Sequence, residues 1–128
     1  MKPKDSLIRL KQFQVSEKHR QVMQLETMIN EFQRMADELD KQIEAEERKS
    51  GITDINNFAY PTFAKAARTR RDNLFGSIDD LKTQMQTAEE SLADAEEELK
   101  KAEMKEVREA RPVEVPAQPV IDKRAMIG

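Results

Sequence analysis

A seven-residue repeat of apolar positions runs through the first part of the chain. The first set of positions consists of Ile8, Val15, Val22, Ile29, Ala36 and Ile43. Three residues after each of these lie Lys11, Lys18, Leu25, Phe32, Leu39 and Glu46. This spacing is typical of the seam of a coiled coil. It predicts a helix over residues 6–49, begun by Asp5 or Ser6 as its cap, with a seam that is half polar before Val22.

A second repeat follows with the same alternation of four and three residues. One series is Ile78, Met85, Leu92 and Leu99, extended by the polar Arg71 and Glu106. The other series is Ala67, Leu74, Leu81, Ala88, Ala95 and Ala102. They predict a second helix over residues 62–110, with Thr62 as its cap. Pro112 cannot continue this helix, and with Pro116 and Pro119 it predicts a flexible tail over residues 112–128.

Residues 50–61 separate the two repeats and contain Gly51 and Pro61. Glycine suits a left-handed residue after a helix, and proline suits a first helical turn. We therefore predict an all-α fold in which two long helices form an antiparallel coiled-coil hairpin over residues 1–111. Two registers keep the seams facing each other. The first places Ile29 opposite Leu81 and centres the bend at residue 55; the second places Ile29 opposite Ala88. The first fits the predicted helix ends better.

Composition supports a narrow seam rather than a thick core. The 128 residues are 37% charged, 38% hydrophobic and 5% aromatic, with no Trp and one Tyr. Disorder has a similar composition, but the periodicity favours helices. The net charge of −3 gives no reason to expect a nucleic acid or an anionic membrane as partner. The absence of cysteine fits a cytoplasmic protein, and no signal peptide or membrane-spanning run is evident.

The sequence contains no constellation typical of an enzyme. His19 is the only histidine and lies between Lys18 and Arg20 at a polar position. The acidic runs 44–47 and 94–98 cannot converge on one ion, because consecutive helical residues point in different directions. We therefore expect no catalytic, cofactor or metal site.

Apolar residues off the seam suggest a contact surface near the N-terminus. Leu7, Leu10 and Phe13 widen the apolar surface beyond the needs of a two-helix hairpin. Residues 1–24 carry an excess of basic side chains, and residues 94–109, which should face them, are acidic. A partner or a second copy of the chain would cover these apolar side chains.

The bend offers further candidates. Phe58, Tyr60 and Phe63 could plug the end of the hairpin or bind a partner, and three of the six aromatic residues of the chain lie here. Arg68 and Arg71 belong to a basic cluster with Lys65 and Arg70. Ion pairs with the acidic run 44–47, contact with an acidic partner, and nucleic-acid binding are the three interpretations of this cluster.

Segments 5–15, 58–68 and 70–74 resemble the FliJ family of flagellar type III export proteins, in the form found in alphaproteobacteria. The resemblance covers about residues 4–110. Segment 58–68, with its Phe58-Ala59-Tyr60-Pro61-Thr62-Phe63 run, is the most specific part, because heptads match any coiled coil.

The resemblance implies a small antiparallel coiled coil in the cytoplasm, attached peripherally to the export apparatus and required for motility. Its partners would be the hexameric export ATPase, where the chain acts like a central stalk, the export-gate membrane protein, and export chaperones. The end with both termini would enter the ATPase ring, and the surface towards the bend would face the gate. The alternative is a generic coiled-coil adaptor or self-associating scaffold unrelated to secretion.

Overall fold

The protein consists of two long helices that pack against each other in antiparallel directions. The structure, a computed structural model, describes residues 3–110, and side chains within residues 5–109. Helix α1 spans Pro3–Ser50 and helix α2 spans Thr62–Ala110. The predicted all-α hairpin is confirmed. Helix α1 begins before the expected Asp5 or Ser6, so these two residues lie in the helix instead of capping it. The predicted tail, residues 112–128, lies outside the described residues.

Burial along both helices follows the heptad positions. The most buried apolar side chains are Ala36, Leu39, Ile43, Tyr60, Ala64, Ala67, Ile78, Leu81 and Ala88. Except for Tyr60 at the bend and Ala64, which continues the seam of α2 by one step, all of them occupy the predicted repeat positions. The polar seam residues Lys11, Lys18 and Glu106 are half-buried as well. The periodicity of the sequence therefore identified the packed face of each helix.

The chain divides into two compact units, which are described separately. The bend unit comprises residues 20–89, and the terminal unit comprises the described residues on either side of it, 3–19 and 90–110. Leu39, Ile43 and Ala67 form a buried cluster in the bend unit, with Leu74 packed against them. In the terminal unit none of the described side chains is fully buried, and its seam residues, such as Val15 and Leu99, are half-buried.

Contacts within each unit agree with the first of the two registers. That register places Ala67 opposite Ile43, and the two share the buried cluster. It places Arg71 opposite Leu39, and the guanidinium of Arg71 lies 2.8 Å from the carboxylate of the adjacent residue, Asp40. In the terminal unit, Lys11 Nζ lies 3.6 Å from Glu98 Oε1. The second register would displace each of these pairs by two helical turns.

Hydrogen bonds within the chain fix the path of the bend. Gly51 has φ of 73° and its N–H donates to the carbonyl of Glu47 at 2.8 Å, which is the predicted left-handed cap. The N–H of Ile52 donates to Ser50 Oγ at 3.0 Å. Helix α2 opens with the N–H of Lys65 donating to the carbonyl of Pro61 at 3.0 Å. The cap is thus Pro61, one residue before the predicted Thr62.

No helix in the described part of the chain is long and apolar enough to cross a membrane.

Candidate functional site

Tyr60 closes the bend from the inside. Its side chain is 6% exposed. The hydroxyl donates a 2.6 Å hydrogen bond to Glu47 Oε2, and Arg68 Nη1 lies 3.4 Å from the same oxygen. Burial raises the pKa of Tyr60, the hydrogen bond to Glu47 raises it further, and Arg68 opposes both effects. For Tyr60, the structure therefore favours the plugging interpretation over partner binding.

The two neighbouring aromatic residues are open to solvent. Phe58 is fully exposed, at 102% of its reference area, and Phe63 is 50% exposed. Neither ring contributes to the buried cluster of the bend unit. The three aromatic residues of the bend, which the sequence presents as one group, thus divide into one internal plug and two accessible rings.

Arg71 takes part in several interactions within the bend unit. Its guanidinium donates to Asp40 Oδ1 at 2.8 Å and to Asp72 Oδ1 at 3.2 Å, and it lies 5.7 Å from the centre of the Phe75 ring. The hydrogen bond to Asp40 raises the pKa of Arg71, against the opposing effect of burial. Of the three interpretations of the basic cluster, ion pairing across the hairpin accounts for Arg68 and Arg71.

The acidic partners of these arginines differ in part from those expected. Arg68 binds Glu47, within the predicted run 44–47, but Arg71 binds Asp40, one turn earlier in α1. The heptad pattern could have identified Asp40 as the partner of Arg71, because Asp40 directly follows the seam residue Leu39 and an arginine side chain can reach it. Lys65 and Arg70 have no ion pair within 4 Å among the described residues.

An open groove lies between α1 and α2 in the bend unit. It encloses about 460 Å³ and is lined by Phe32, Met35, Glu38, Leu39, Arg70, Asn73, Leu74 and Ser77. Its apolar wall includes Met35, which is 47% exposed. The heptad pattern did not predict this groove. Only the packing of both helices shows that residues from the seam and from its flank share one concave surface.

The terminal unit presents apolar side chains on both of its helical segments. Leu7, Leu10 and Phe13 of α1 are 46%, 51% and 61% exposed, as the off-seam positions predicted. Met104 and Val107 of α2 are 56% and 50% exposed. A shallow pocket of about 120 Å³ joins Leu7 to the seam residues Ile8, Ala102 and Glu106. This unit thus has apolar side chains on its surface and a seam that buries none completely.

The charged side chains of the terminal unit form an ion pair between its two helical segments and a separate basic surface on α2. Lys11 of the basic α1 segment contacts Glu98 of the acidic α2 segment, in line with the charge compensation expected across the hairpin. Helix α2 also has a basic surface around Met104, formed by Lys100, Lys101, Lys105 and Arg108. Counting charges along the sequence concealed this surface, because the acidic residues interleave with the basic ones.

His19 is exposed. Within residues 5–109, no three histidine, aspartate or glutamate side chains converge in a way that could hold a metal ion.

A comparison of the chain with protein-family models, curated proteins and solved structures gives no significant match.

Proposed function

We propose that this chain is a non-enzymatic, stalk-like partner of the flagellar export ATPase and an escort for export chaperones. In this proposal it works in the cytoplasm, attached peripherally to the type III export apparatus. ATP hydrolysis belongs to the partner, and the chain contributes a helical surface whose contacts differ between states of the ring. A ligand shifts such states only through its differential affinity for them, so a surface that lacks symmetry is suited to this task.

The observation that supports the proposal is the incomplete packing of the terminal unit. Burying an apolar side chain completely is worth about 1.5–3 kcal/mol, and Leu7, Leu10 and Phe13 obtain only about half of it, because they are 46%, 51% and 61% exposed. The seam beneath them is interrupted by Lys11 and Lys18, so it cannot supply the missing burial. A concave partner that surrounds the ends of both helices would cover these side chains and stabilise the unit at the same time.

The resemblance to the FliJ family indicates which partner this is. Its most specific segment, residues 58–68, contains the aromatic plug Tyr60, and the remaining segments occupy both helices. In that family the end with both termini enters the ATPase ring. The terminal unit is the corresponding part of this chain and has the exposed apolar side chains that such a contact requires.

The bend unit supplies a second surface. The family contacts the export-gate membrane protein and chaperones as well as the ATPase, and one apolar patch cannot serve several partners at once. The groove beside Met35 is separate in sequence from the exposed residues of the terminal unit. We assign it to the gate, which the surface towards the bend would face.

Binding to the purified export ATPase tests the proposal. A variant with Leu7→Gln, Leu10→Gln and Phe13→Gln removes the exposed apolar side chains while keeping helix-forming residues. A matched control, Met23→Gln with Met28→Gln, changes exposed apolar residues of α1 in the bend unit. In isothermal titration calorimetry, we expect the wild-type chain and the control to bind alike and the triple variant to bind at least about tenfold more weakly.

Two results would count against the proposal. A wild-type chain that does not bind the ATPase removes the assigned partner and favours the alternative of a generic adaptor. A triple variant that binds as tightly as the wild type would show that the ATPase contacts another surface.

A further inference from the structure

One face of α2 in the terminal unit has a regular order of charges. Six exposed residues that alternate four and three positions apart share this face of the helix: Glu90, Asp94, Glu97, Lys101, Met104 and Arg108. Glu97 precedes the seam residue Leu99 by two positions, about 200° around a helix, so the face points away from α1. We call these six residues the outer face. The first three form its acidic half, and the other three form its basic half.

The basic half of the outer face is a concentration of cations. Lys100 and Lys105 flank it, and together with Lys101 and Arg108 they line a shallow depression of about 420 Å³ around Met104. None of these four cations has an ion pair within 4 Å among the described residues. The depression continues to Glu97, so the two halves of the outer face adjoin.

The acidic half is likewise without partners in the described part of the chain. Its three carboxylates are exposed and have no ion pair within 4 Å there. Glu98, by contrast, lies beside the seam and contacts Lys11 of α1 at 3.6 Å. Charge compensation across the hairpin therefore reaches the side of α2 that faces α1 and leaves the outer face uncompensated.

This order of charges is unfavourable for an isolated helix. Glu90 and Asp94 lie four residues apart, a spacing at which two like charges on a helix repel each other. Lys101 and Lys105 have the same spacing and the same repulsion. The helix macrodipole favours cations in the last turn alone, so it accounts for Arg108 but not for Lys101. Helix stability therefore does not explain why the charges separate into two halves.

We propose that two copies of this chain associate through the outer faces of their terminal units, in antiparallel orientation, with the acidic half of each copy against the basic half of the other. The spacing of the outer face supports this arrangement, because steps of four, three, four, three and four residues read the same from either end. An antiparallel copy therefore presents its residues in register, with the order of charges reversed.

The register of this pairing follows from the residue positions. Glu97 of one copy lies opposite Lys101 of the other, and Glu90 lies opposite Arg108. Two-fold symmetry makes each of these contacts twice, since the same surface serves both copies. Met104, which is 56% exposed, becomes covered in both copies at the same time. Association thus relieves the repulsion within each half.

A second copy fits the outer face better than other charged partners do. Residues 100–108 span only about 12 Å along the helix, so an anionic membrane or a nucleic acid would also meet the acidic half and be repelled. An acidic protein segment would use the basic half and leave the acidic half unpaired. The proposal is independent of the assignment to flagellar export, and the outer face does not include Leu7, Leu10 or Phe13.

The expected dimer is weak and sensitive to salt, because exposed ion pairs contribute little individually and are screened by ions. We expect a dissociation constant on the order of 100 µM at about 0.05 M salt. At about 1 M salt the Debye length is about 3 Å, and the association should disappear. An association through exposed apolar side chains would instead persist at high salt.

Sedimentation velocity of the full chain over about 10–1000 µM, a range chosen around that dissociation constant, tests the proposal. The wild type should shift reversibly from monomer to dimer at low salt. Glu90→Lys with Glu97→Lys makes the outer face basic throughout, and Lys101→Glu with Arg108→Glu makes it predominantly acidic. Each of these two variants alone should associate at least about tenfold more weakly than the wild type.

A mixture of the two variants gives the more stringent test. A basic outer face then meets an acidic one, so the mixture should form heterodimers at least as tight as the wild-type dimer. The matched control is Glu96→Lys with Glu103→Lys, which changes the net charge as the first variant does, at exposed positions of α2 that are not part of the outer face. It should associate as the wild type does. Circular dichroism checks that the helix content of each variant is unchanged.

Several results would overturn the inference. One is a wild-type chain that stays monomeric at low salt over the whole range, and another is an association that about 1 M salt leaves unchanged. A mixture that gains nothing over its components, or a control that loses as much association as the two variants, would overturn it as well. A loss confined to the variant of the basic half would reject a second copy in favour of an acidic partner.

Discussion

The hydroxyl of Tyr60 donates a 2.6 Å hydrogen bond to Glu47 Oε2 and so connects the end of the bend to the last turns of α1. Arg68 of α2 approaches the same carboxylate oxygen at 3.4 Å. One acidic side chain of α1 is therefore shared by the bend and by the opening turns of α2. This arrangement holds the bend in one conformation and explains why the ring of Tyr60, unlike that of Phe58, faces inward.

Removing the hydroxyl of Tyr60 should destabilise the protein. Tyr60→Phe keeps the ring in place but leaves the carboxylate of Glu47 with Arg68 as its remaining donor, and we expect a loss of about 1–2 kcal/mol in the free energy of unfolding. Urea denaturation followed by circular dichroism measures it. Phe58→Ala is the control and should change the free energy of unfolding by less than about 0.5 kcal/mol, since its ring packs against nothing in the chain. Equal losses in both variants would contradict the role assigned to Tyr60.

The titration of Tyr60 can be observed directly, because the chain has one tyrosine and no tryptophan. The tyrosinate absorbance should rise at a higher pH in the folded chain than in urea, since burial and Glu47 raise the pKa from its ordinary value of 10.0. The folded state favours the protonated form of Tyr60. The contribution of the Tyr60 hydroxyl to stability is therefore complete below pH about 10 and is lost as the pH rises through the folded pKa.

Substitution of Glu47 provides the control for this titration. Glu47→Gln should lower the folded pKa of Tyr60, because burial, which raises it, is then opposed by Arg68 without the contribution of Glu47. An identical titration midpoint in the folded chain and in urea would show that the hydroxyl is not held as the structure indicates.

The two glycines should respond to alanine in opposite directions. Gly76 lies inside α2, and an added Cβ would meet no atom within 4 Å, so Gly76→Ala should stabilise the protein by about 0.5–1 kcal/mol. Gly51 has φ of 73°, a conformation that costs alanine about 1 kcal/mol or more. The free energies of unfolding of both variants test this pair, and a stabilising Gly51→Ala would argue against the left-handed cap.

Arg71 occupies a seam position that an apolar residue would fill better. It is stabilised by Asp40 but loses hydration, and replacing a partly buried ion by a well-packed apolar side chain is often neutral or stabilising. Arg71→Leu should therefore raise the free energy of unfolding by up to about 1 kcal/mol. Arg71→Ala should lower it by about 1–2 kcal/mol, because the packing of the long side chain is lost. A leucine variant less stable than the alanine variant would refute this view of the seam.

The sequence was sufficient to predict the packed face of each helix, because a heptad repeat specifies which positions meet. Ile43 and Ala67 were predicted to face each other, and they share one buried cluster. The range of α2 was predicted as well, since Pro61 and Pro112 limit it from both sides. The start of α1 was not predicted correctly, because Asp5 and Ser6 are acceptable within a helix as well as at its cap.

Features that depend on side-chain direction could not be predicted in the same way. The three aromatic residues of the bend are chemically similar and close together in the sequence. Only the hydrogen bond to Glu47 distinguishes Tyr60 from Phe58. The groove beside Met35 arises from the packing of two helices, which no single repeat encodes. The partner of Arg71 depended on the reach of a flexible side chain to Asp40.

Hydrogen exchange of backbone amides tests the central claim most directly. That claim, which rests on the proposed function, is that the terminal unit is incompletely packed alone and would be completed by the export ATPase. In the free chain, amides of residues 3–19 and 90–110 should exchange faster than those of the bend unit, because local stability follows burial. Addition of the ATPase should slow exchange in the terminal unit. Uniform protection in the free chain, or a terminal unit whose exchange the ATPase leaves unchanged, would contradict the account.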